Sequence, residues 1–291
     1  MVKIGGLPPG AFVEYWWVVE DASGKKIETI PVRVVRFNDD RYSWRCLTAG
    51  EVTIYWYEGT QPFAEEIMLV AQQALARLAE DTGAYLKKPV KLFIYASTED
   101  LQGAMIFPQE WTGGIAYPRY GTIAIGIAPY NLSWGKRAIA HELAHLVIHQ
   151  MTLNPYNDLP TWLDEGLAMY TEGELGAEFT AYLERVIAED SLISVRSLSS
   201  PFSAYAAEAS LSYAQSYSLV EFLITSYGQG KMLELLNTFK EGSNYDGALE
   251  KVYGFDMDGL DTLWRDYVWR QYQAAGVTTA MMSPALVGVG Y

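Results

Sequence analysis

The histidines of the chain are few and close together: the only three, His141, His145 and His149, fall within nine consecutive residues. Residues at positions i and i+4 of an α-helix lie on one face, about 6 Å apart along the axis. The imidazoles of His141 and His145 can therefore bind one Zn²⁺ at about 2.0–2.1 Å. Glu142 points to the flank of that face, toward a metal-bound water. The spacing predicts a hydrolytic zinc site, because the metal lowers the pKa of the water to about 7 and the carboxylate accepts its proton.

A catalytic zinc requires three protein ligands and one open position. His149 does not fit as the third ligand, because it lies eight residues after His141, about 12 Å along a helix axis. We expect His149 either to support the site from outside the ligand set or to have a structural role. The longer pattern, with a glycine three residues after the second histidine and a third histidine three residues further on, is absent, since Ile148 and Met151 occupy those positions.

The better candidates for a third ligand follow in residues 159–170. Pro160 can begin a helix, and the apolar residues of this segment would form its buried stripe. Asp164 and Glu165 lie at the boundary of that stripe, where a carboxylate can reach toward a neighbouring helix. Acidic residues are also favoured in a first turn without any function. Periodicity alone does not choose between the two residues.

The composition excludes several other classes of function. With 21 Lys and Arg against 35 Asp and Glu, the formal net charge is −14, which disfavours nucleic acid and anionic lipid as partners. The single cysteine excludes a disulfide framework and a thiolate metal cluster. The sequence has no apolar run of the roughly 18 residues that a membrane span needs. It also has no glycine-rich phosphate loop and no Gly-x-Ser-x-Gly motif.

The pattern along the chain predicts three blocks and a tail. Residues 1–58 are rich in β-branched and aromatic residues and predict a small antiparallel β-sandwich-like module. Its aromatic side chains could form a core or a docking surface, and strands with two apolar faces favour the core. Residues 59–152 predict an α+β half with a helix over 62–81, a strand over 90–95 and a hairpin of 113–117 with 122–127. Residues 153–275 predict an all-helical half, and residues 276–291 carry no periodic signal. Helices are expected near residues 134–151, 160–173, 176–189, 210–227, 230–240, 245–252 and 258–273.

Two segments, residues 141–145 and 162–168, resemble the zinc-binding segments of the gluzincins, the thermolysin-like and aminopeptidase-N-like zinc peptidases of the peptidase MA-like superfamily. Nineteen residues separate His145 from Glu165, one more than is typical of the aminopeptidase branch. The resemblance implies that Glu165 is the third zinc ligand and Glu142 the general base. It places Asp164 beside the ligand, where the family often has Asn.

Two further segments extend the resemblance. Residues 213–223 are similar to the helix that carries the family's oxyanion-stabilising tyrosine, with Tyr213 as the positional match and Tyr217 as the alternative; packing roles stay open among 21 tyrosines. Aminopeptidases of the group carry Gly-x-Met-Glu-Asn ahead of the zinc helix, and its glutamate holds the free amine of the substrate. The comparable stretch here has no carboxylate, which favours an endopeptidase whose substrate strand pairs with the residues Gly113, Gly114, Ile115 and Ala116.

The sequence thus predicts a hydrolase: an α+β, thermolysin-like metalloprotease domain of the gluzincin type, preceded by a small antiparallel β module. One Zn²⁺ per chain and a polypeptide substrate are expected. Two alternatives stay open, an aminopeptidase of the same superfamily and a non-catalytic binding module on a peptidase fold. The residues do not fix cleavage preference, oligomeric state or location. The chain starts without the apolar stretch of a signal peptide, although the resemblance favours an exported protein.

Overall fold

The computed structural model describes residues 7–36, 39–105, 113–203 and 205–282. These residues form two compact units. The mixed unit lies within residues 1–79 and 84–151, and the helical unit within residues 80–83 and 152–291. None of the described helices is long and apolar enough to cross a membrane.

The mixed unit contains nine described strands and three helices, and a one-turn 3-10 helix, Pro118–Tyr120, joins its last two strands. The structure confirms four predicted features of this unit: the hairpin of residues 113–127, the strand over 90–95 and the two long helices. In chain order the elements are β1 (Phe12–Tyr15), β2 (Val18–Glu20), β3 (Lys26–Glu28), β4 (Val32–Arg36), β5 (Arg45–Ala49), β6 (Val52–Trp56), α1 (Gln61–Thr82), β7 (Val90–Tyr95), α2 (Thr98–Gln102), β8 (Gly114–Tyr117), β9 (Thr122–Gly126) and α3 (Leu132–Thr152).

Five strands form one sheet in the order β5-β6-β7-β9-β8. The three central strands are parallel, and the two edge strands pair antiparallel with their neighbours. One face of the sheet packs against α1 and α3 in a single apolar core that includes Ile54, Leu92 and Ile123 from the strands, Ile67 from α1 and Leu143 from α3. The buried face of α3 thereby fixes the orientation of the helix that carries the histidines.

The opposite face of the sheet carries an aromatic layer. Tyr42 and Tyr57 stack with ring centroids 3.9 Å apart, and Phe93 and Tyr95 are buried beneath them. The Tyr57 hydroxyl donates to Asp100 at 2.6 Å. Aromatic pairs and charge-assisted hydrogen bonds of this kind stabilise the layer, and Leu101 of α2 is buried in the same cluster.

The first four strands do not form the predicted sandwich core. β1 pairs with β4 and β2 with β3, as two separate two-stranded ladders. Their large apolar side chains are exposed, with Phe12 and Trp16 at 52% and Trp17 at 65%. The apolar pattern therefore identifies strands, but it does not show whether their side chains are buried.

The module boundary at residue 58 also differs from the structure. β5 and β6 join the five-stranded sheet, because β6 pairs in parallel with β7 from Val52 opposite Val90 to Trp56 opposite Ile94. A parallel partner lies beyond an intervening helix, so the strand pattern of residues 45–56 does not reveal it.

The helical unit contains seven described helices, six of which confirm predicted segments. The four-residue helix α6 was not predicted, since it is too short to show a period. α10 extends through residues 276–282, which were predicted to belong to a tail. The helices are α4 (Thr161–Glu172), α5 (Ala177–Ala188), α6 (Val195–Leu198), α7 (Ala206–Tyr227), α8 (Gln229–Lys240), α9 (Tyr245–Tyr253) and α10 (Met257–Met282).

Candidate metal centre

The two histidines at i and i+4 of α3 converge as the sequence predicts. The Nε2 atoms of His141 and His145 are 3.1 Å apart, and their ring planes cross at 77°. Two nitrogen ligands at about 2.0–2.1 Å from one tetrahedral zinc ion are roughly 3.3 Å apart. Both rings are half-buried. Leu143, which lies between the two histidines in sequence, and Leu146, which follows His145, are fully buried in the core of the mixed unit. The imidazole pair therefore fits zinc without rearrangement of the helix.

The side chain of Glu142 lies against the backbone of β8. A Cβ atom added at Gly114 would lie 2.9 Å from Glu142 Oε1 and 3.1 Å from its Cγ. Such approaches are closer than ordinary van der Waals contact. Only a residue without a side chain leaves Glu142 in this position, next to the strand predicted to bind the substrate.

The preceding glycine has a packing role of its own. A Cβ atom at Gly113 would lie 2.7 Å from the indole of Trp134, in the first turn of α3. The two glycines thus bring β8 close to both the start of α3 and the carboxylate of Glu142. The sequence analysis assigned these glycines only to substrate binding. The sequence does not show that Trp134 and Glu142 occupy the space where their Cβ atoms would lie.

The strand β8 offers backbone groups at the edge of its sheet. Gly113 O accepts a hydrogen bond of 3.0 Å from Gly126 N, its directly opposite residue. Opposite residues in an antiparallel pair alternate between bonded and non-bonded positions. The N–H and C=O groups of Gly114 and Ala116 therefore point away from β9, toward an edge that has no partner strand among the described residues. Ile115 points its side chain into the aromatic layer.

The third histidine lies outside the converging pair. The His149 ring centroid is 6.3 Å from that of His145, one helical turn further along α3, and its side chain is half-buried. Its predicted supporting role stays a prediction.

The two acidic candidates for the third ligand lie on α4 of the helical unit. Asp164 and Glu165 are half-buried, whereas Trp162, Leu163 and Gly166 around them are buried. The helix begins after Pro160, as predicted. The assignment of Glu165 as a zinc ligand therefore still rests on the resemblance and stays a prediction.

Gly166 sets how closely α4 approaches α7, and its replacement is a stability test. A Cβ atom here would collide with the carbonyl oxygen of Ser216 and lie 2.7 Å from Val220 Cγ2. Because the backbone of α7 cannot yield as a side chain can, we expect Gly166→Ala to destabilise the protein by about 1–3 kcal/mol. Urea unfolding measures the change. Gly230→Ala is the matched control, since no atom lies within 4 Å of its added Cβ; equal stability of the two variants would contradict the packing argument.

The two candidate tyrosines lie one turn apart on α7 and differ in burial. Tyr213 is half-buried and packs edge-on against Phe202 at a centroid distance of 5.2 Å. Tyr217 is only 7% exposed and packs against Tyr170. Burial, followed by the negative charge of Glu221, raises the pKa of Tyr217 to about 12. The greater exposure of Tyr213 suits a hydroxyl that must meet a substrate.

A family model described as the peptidase MA superfamily matches residues 70–270. The chain belongs to the peptidase MA superfamily. Within this superfamily, His141 and His145 form the HEXXH-type histidine pair of the chain. The expected α+β fold class is confirmed.

Solved structures similar to this peptidase MA chain are distant in sequence. One is a mutant M1 zinc metallopeptidase from Deinococcus radiodurans bound to a Tyr-Ser-Ala substrate, with 16% identity, a TM-score of 0.46, and coverage of 88% of this chain and 61% of that one. Another is aminopeptidase A of Legionella pneumophila in complex with aspartic acid, with 12% identity, a TM-score of 0.42, and coverage of 87% and 28%. The chain thus spans less than two thirds of either. The comparison with curated proteins gives no match.

Proposed function

We propose that the protein is a zinc-dependent endopeptidase in which His141, His145 and Glu165 hold one Zn²⁺. The observation that carries the proposal is the convergence of the two Nε2 atoms at 3.1 Å, on the helix whose Glu142 lies against β8. Bound zinc supplies a Lewis acid that polarises the scissile carbonyl and acidifies water. Two imidazoles and one carboxylate form a ligand set that catalytic zinc uses. Asp164 and His149 are proposed to support the ligands without binding the ion.

Glu142 is the proposed general base. Its carboxylate takes a proton from the water that attacks the scissile carbonyl and passes it to the leaving amine. The contact with Gly114 supports this role, since it holds the carboxylate beside the strand along which the substrate would lie. Tyr213 is the proposed hydrogen-bond donor to the oxyanion that develops on the carbonyl oxygen, a contact type worth about 3–4 kcal/mol.

The substrate is proposed to be an extended polypeptide that pairs with β8. The outward N–H and C=O groups of Gly114 and Ala116 are the partners that a peptide backbone requires in β-augmentation. Backbone pairing is independent of side-chain identity, so it binds an internal segment as well as a chain end. Residues 113–117 contain no carboxylate to hold a free amine, and this supports an endopeptidase over an aminopeptidase.

The experiment combines metal content with two matched peptides. We expect the purified protein to contain about one zinc per chain by elemental mass spectrometry, without added metal. We expect it to cleave an N-acetylated peptide and its free-amine counterpart at internal bonds with similar kcat/KM. Cleavage of the free-amine peptide alone would identify an aminopeptidase instead. Failure to retain zinc after incubation with excess metal and removal of the free ion would overturn the metal site itself.

A further inference from the structure

The helical unit contains a cavity of about 320 Å³ whose walls include residues of α5, α7 and α10. We call it the acidic aromatic cavity, after its three glutamates and three tyrosines. Aliphatic side chains and the neutral polar residues Thr180, Ser218 and Gln271 complete the lining, and no Lys, Arg or His is among the described residues that form it. Its volume is at the lower end of the range of about 300–1,000 Å³ typical of ligand pockets. The named side chains are Glu174, Glu184, Glu221, Tyr217, Tyr267 and Tyr272.

Glu221 is the carboxylate of this cavity that the protein shields most from water. It is half-buried, while Glu174 and Glu184 are exposed at the rim. Burial raises the pKa of Glu221, and a hydrogen bond from Tyr217 opposes that rise. Among the described ion pairs, none involves Glu221. A partly desolvated carboxylate without a cation beside it attracts one strongly.

The tyrosines supply a second attraction for positive charge. Tyr217 is nine-tenths buried at 7% exposure, and the negative charge of Glu221 contributes to the raised pKa of both Tyr217 and Tyr267. The face of an aromatic ring attracts an ammonium or guanidinium within about 6 Å of its centroid. Leu183 and Val268 in the same lining offer apolar surface for a methylene stem.

We propose that the acidic aromatic cavity binds an organic cation: a primary ammonium or guanidinium head on an aliphatic stem. Lys and Arg side chains of a polypeptide carry this chemistry, and so do free diamines. The carboxylates exclude anions, and a neutral apolar ligand would leave the charge of Glu221 without a counter-charge. The site lies one to two helical turns from Tyr213 along α7 and does not depend on zinc or on catalysis.

Ligand-observed NMR titration of the full chain tests the proposal with three probes. These are Nα-acetyl-lysine amide, 1,4-diaminobutane and Nα-acetyl-norleucine amide, which keeps the four-carbon stem but lacks the ammonium. We expect the norleucine probe to bind at least about tenfold more weakly than the better cation. Tighter binding of the lysine probe identifies polypeptide side chains as the ligand, and tighter binding of the diamine identifies free amines.

Charge-neutralising variants locate the binding. Glu221→Gln keeps the shape of the side chain and is expected to lower the affinity for the tighter-binding cation about tenfold. Glu174 is exposed, so Glu174→Gln leaves the packed interior untouched. We expect this variant to lower the affinity for the same cation by a smaller factor. Glu250→Gln on α9 is the matched control, because its side chain is exposed and outside the cavity lining. Equal binding of the norleucine probe, or unchanged affinity in both Glu221→Gln and Glu174→Gln, would overturn the proposal. These measurements depend on neither zinc content nor peptidase activity. They therefore test the cavity independently of the proposed function.

Discussion

Glu142→Gln is expected to retain its zinc and its fold but to turn over unfolded casein about 10²–10⁴-fold more slowly than the natural chain. The amide keeps the size of the side chain and its place against Gly114. It cannot accept a proton from the attacking water, so the loss should fall on kcat. Initial rates of casein cleavage, with zinc measured on the same samples, give the result.

Glu51→Gln is the matched control for this variant. Glu51 is an exposed glutamate of the same unit, in the turn between β5 and β6, and the substitution removes the same charge. We expect its casein turnover and zinc content to equal those of the natural chain. Near-normal turnover by Glu142→Gln would show that this carboxylate is not the base, whereas loss of zinc together with activity would indicate a structural role.

The histidine pair could be predicted from sequence because its geometry is local. The spacing of His141 and His145 fixes their separation once a helix forms, and the buried pattern of Leu143 and Leu146 fixes which face the rings occupy. No distant residue is needed for either inference. The observed 3.1 Å between the Nε2 atoms follows from these two facts.

The position of the Glu142 carboxylate could not be predicted in the same way. Glu142 and Gly114 are 28 residues apart, and their contact depends on how β8 packs beside α3. The glycine pattern signals a close approach of something to the backbone, but periodicity does not say whether that is a substrate, Trp134 or Glu142. Tertiary packing decides it.

The N-terminal strands show a related limit. Val18 and Ile27 have the composition of buried strand residues, yet they are 50% and 63% exposed. β-propensity describes fit to a pleated surface and depends on the neighbours that cover it. β6 has a similar composition and is buried, with Ile54 at 0%, because α1 and β7 provide the cover that the first ladders lack.

Gly114→Ala is expected to lower casein turnover about 10²-fold while zinc content and stability stay unchanged. The added Cβ would meet three atoms of Glu142, namely Oε1 at 2.9 Å, Cγ at 3.1 Å and Cδ at 3.2 Å. Because these atoms belong to a flexible side chain, the carboxylate can rotate away without disturbing the sheet. A displacement of about 1 Å at a catalytic group costs on the order of 10²-fold in rate. Urea unfolding and zinc analysis on the same protein separate this effect from misfolding.

A double-mutant cycle makes the argument specific to Glu142. If the added methyl group acts by displacing the base, then Gly114→Ala should have little further effect in a Glu142→Gln background, since the displaced group no longer takes a proton. Additive losses in the double variant would instead indicate that the methyl group obstructs the substrate strand at the edge of β8. Gly230→Ala, whose added Cβ meets no atom within 4 Å, should leave turnover unchanged and controls for the loss of a glycine as such. Non-additivity would therefore place the catalytic proton transfer at the contact between α3 and β8, where a residue without a side chain holds the carboxylate beside the backbone groups of Gly114 and Ala116.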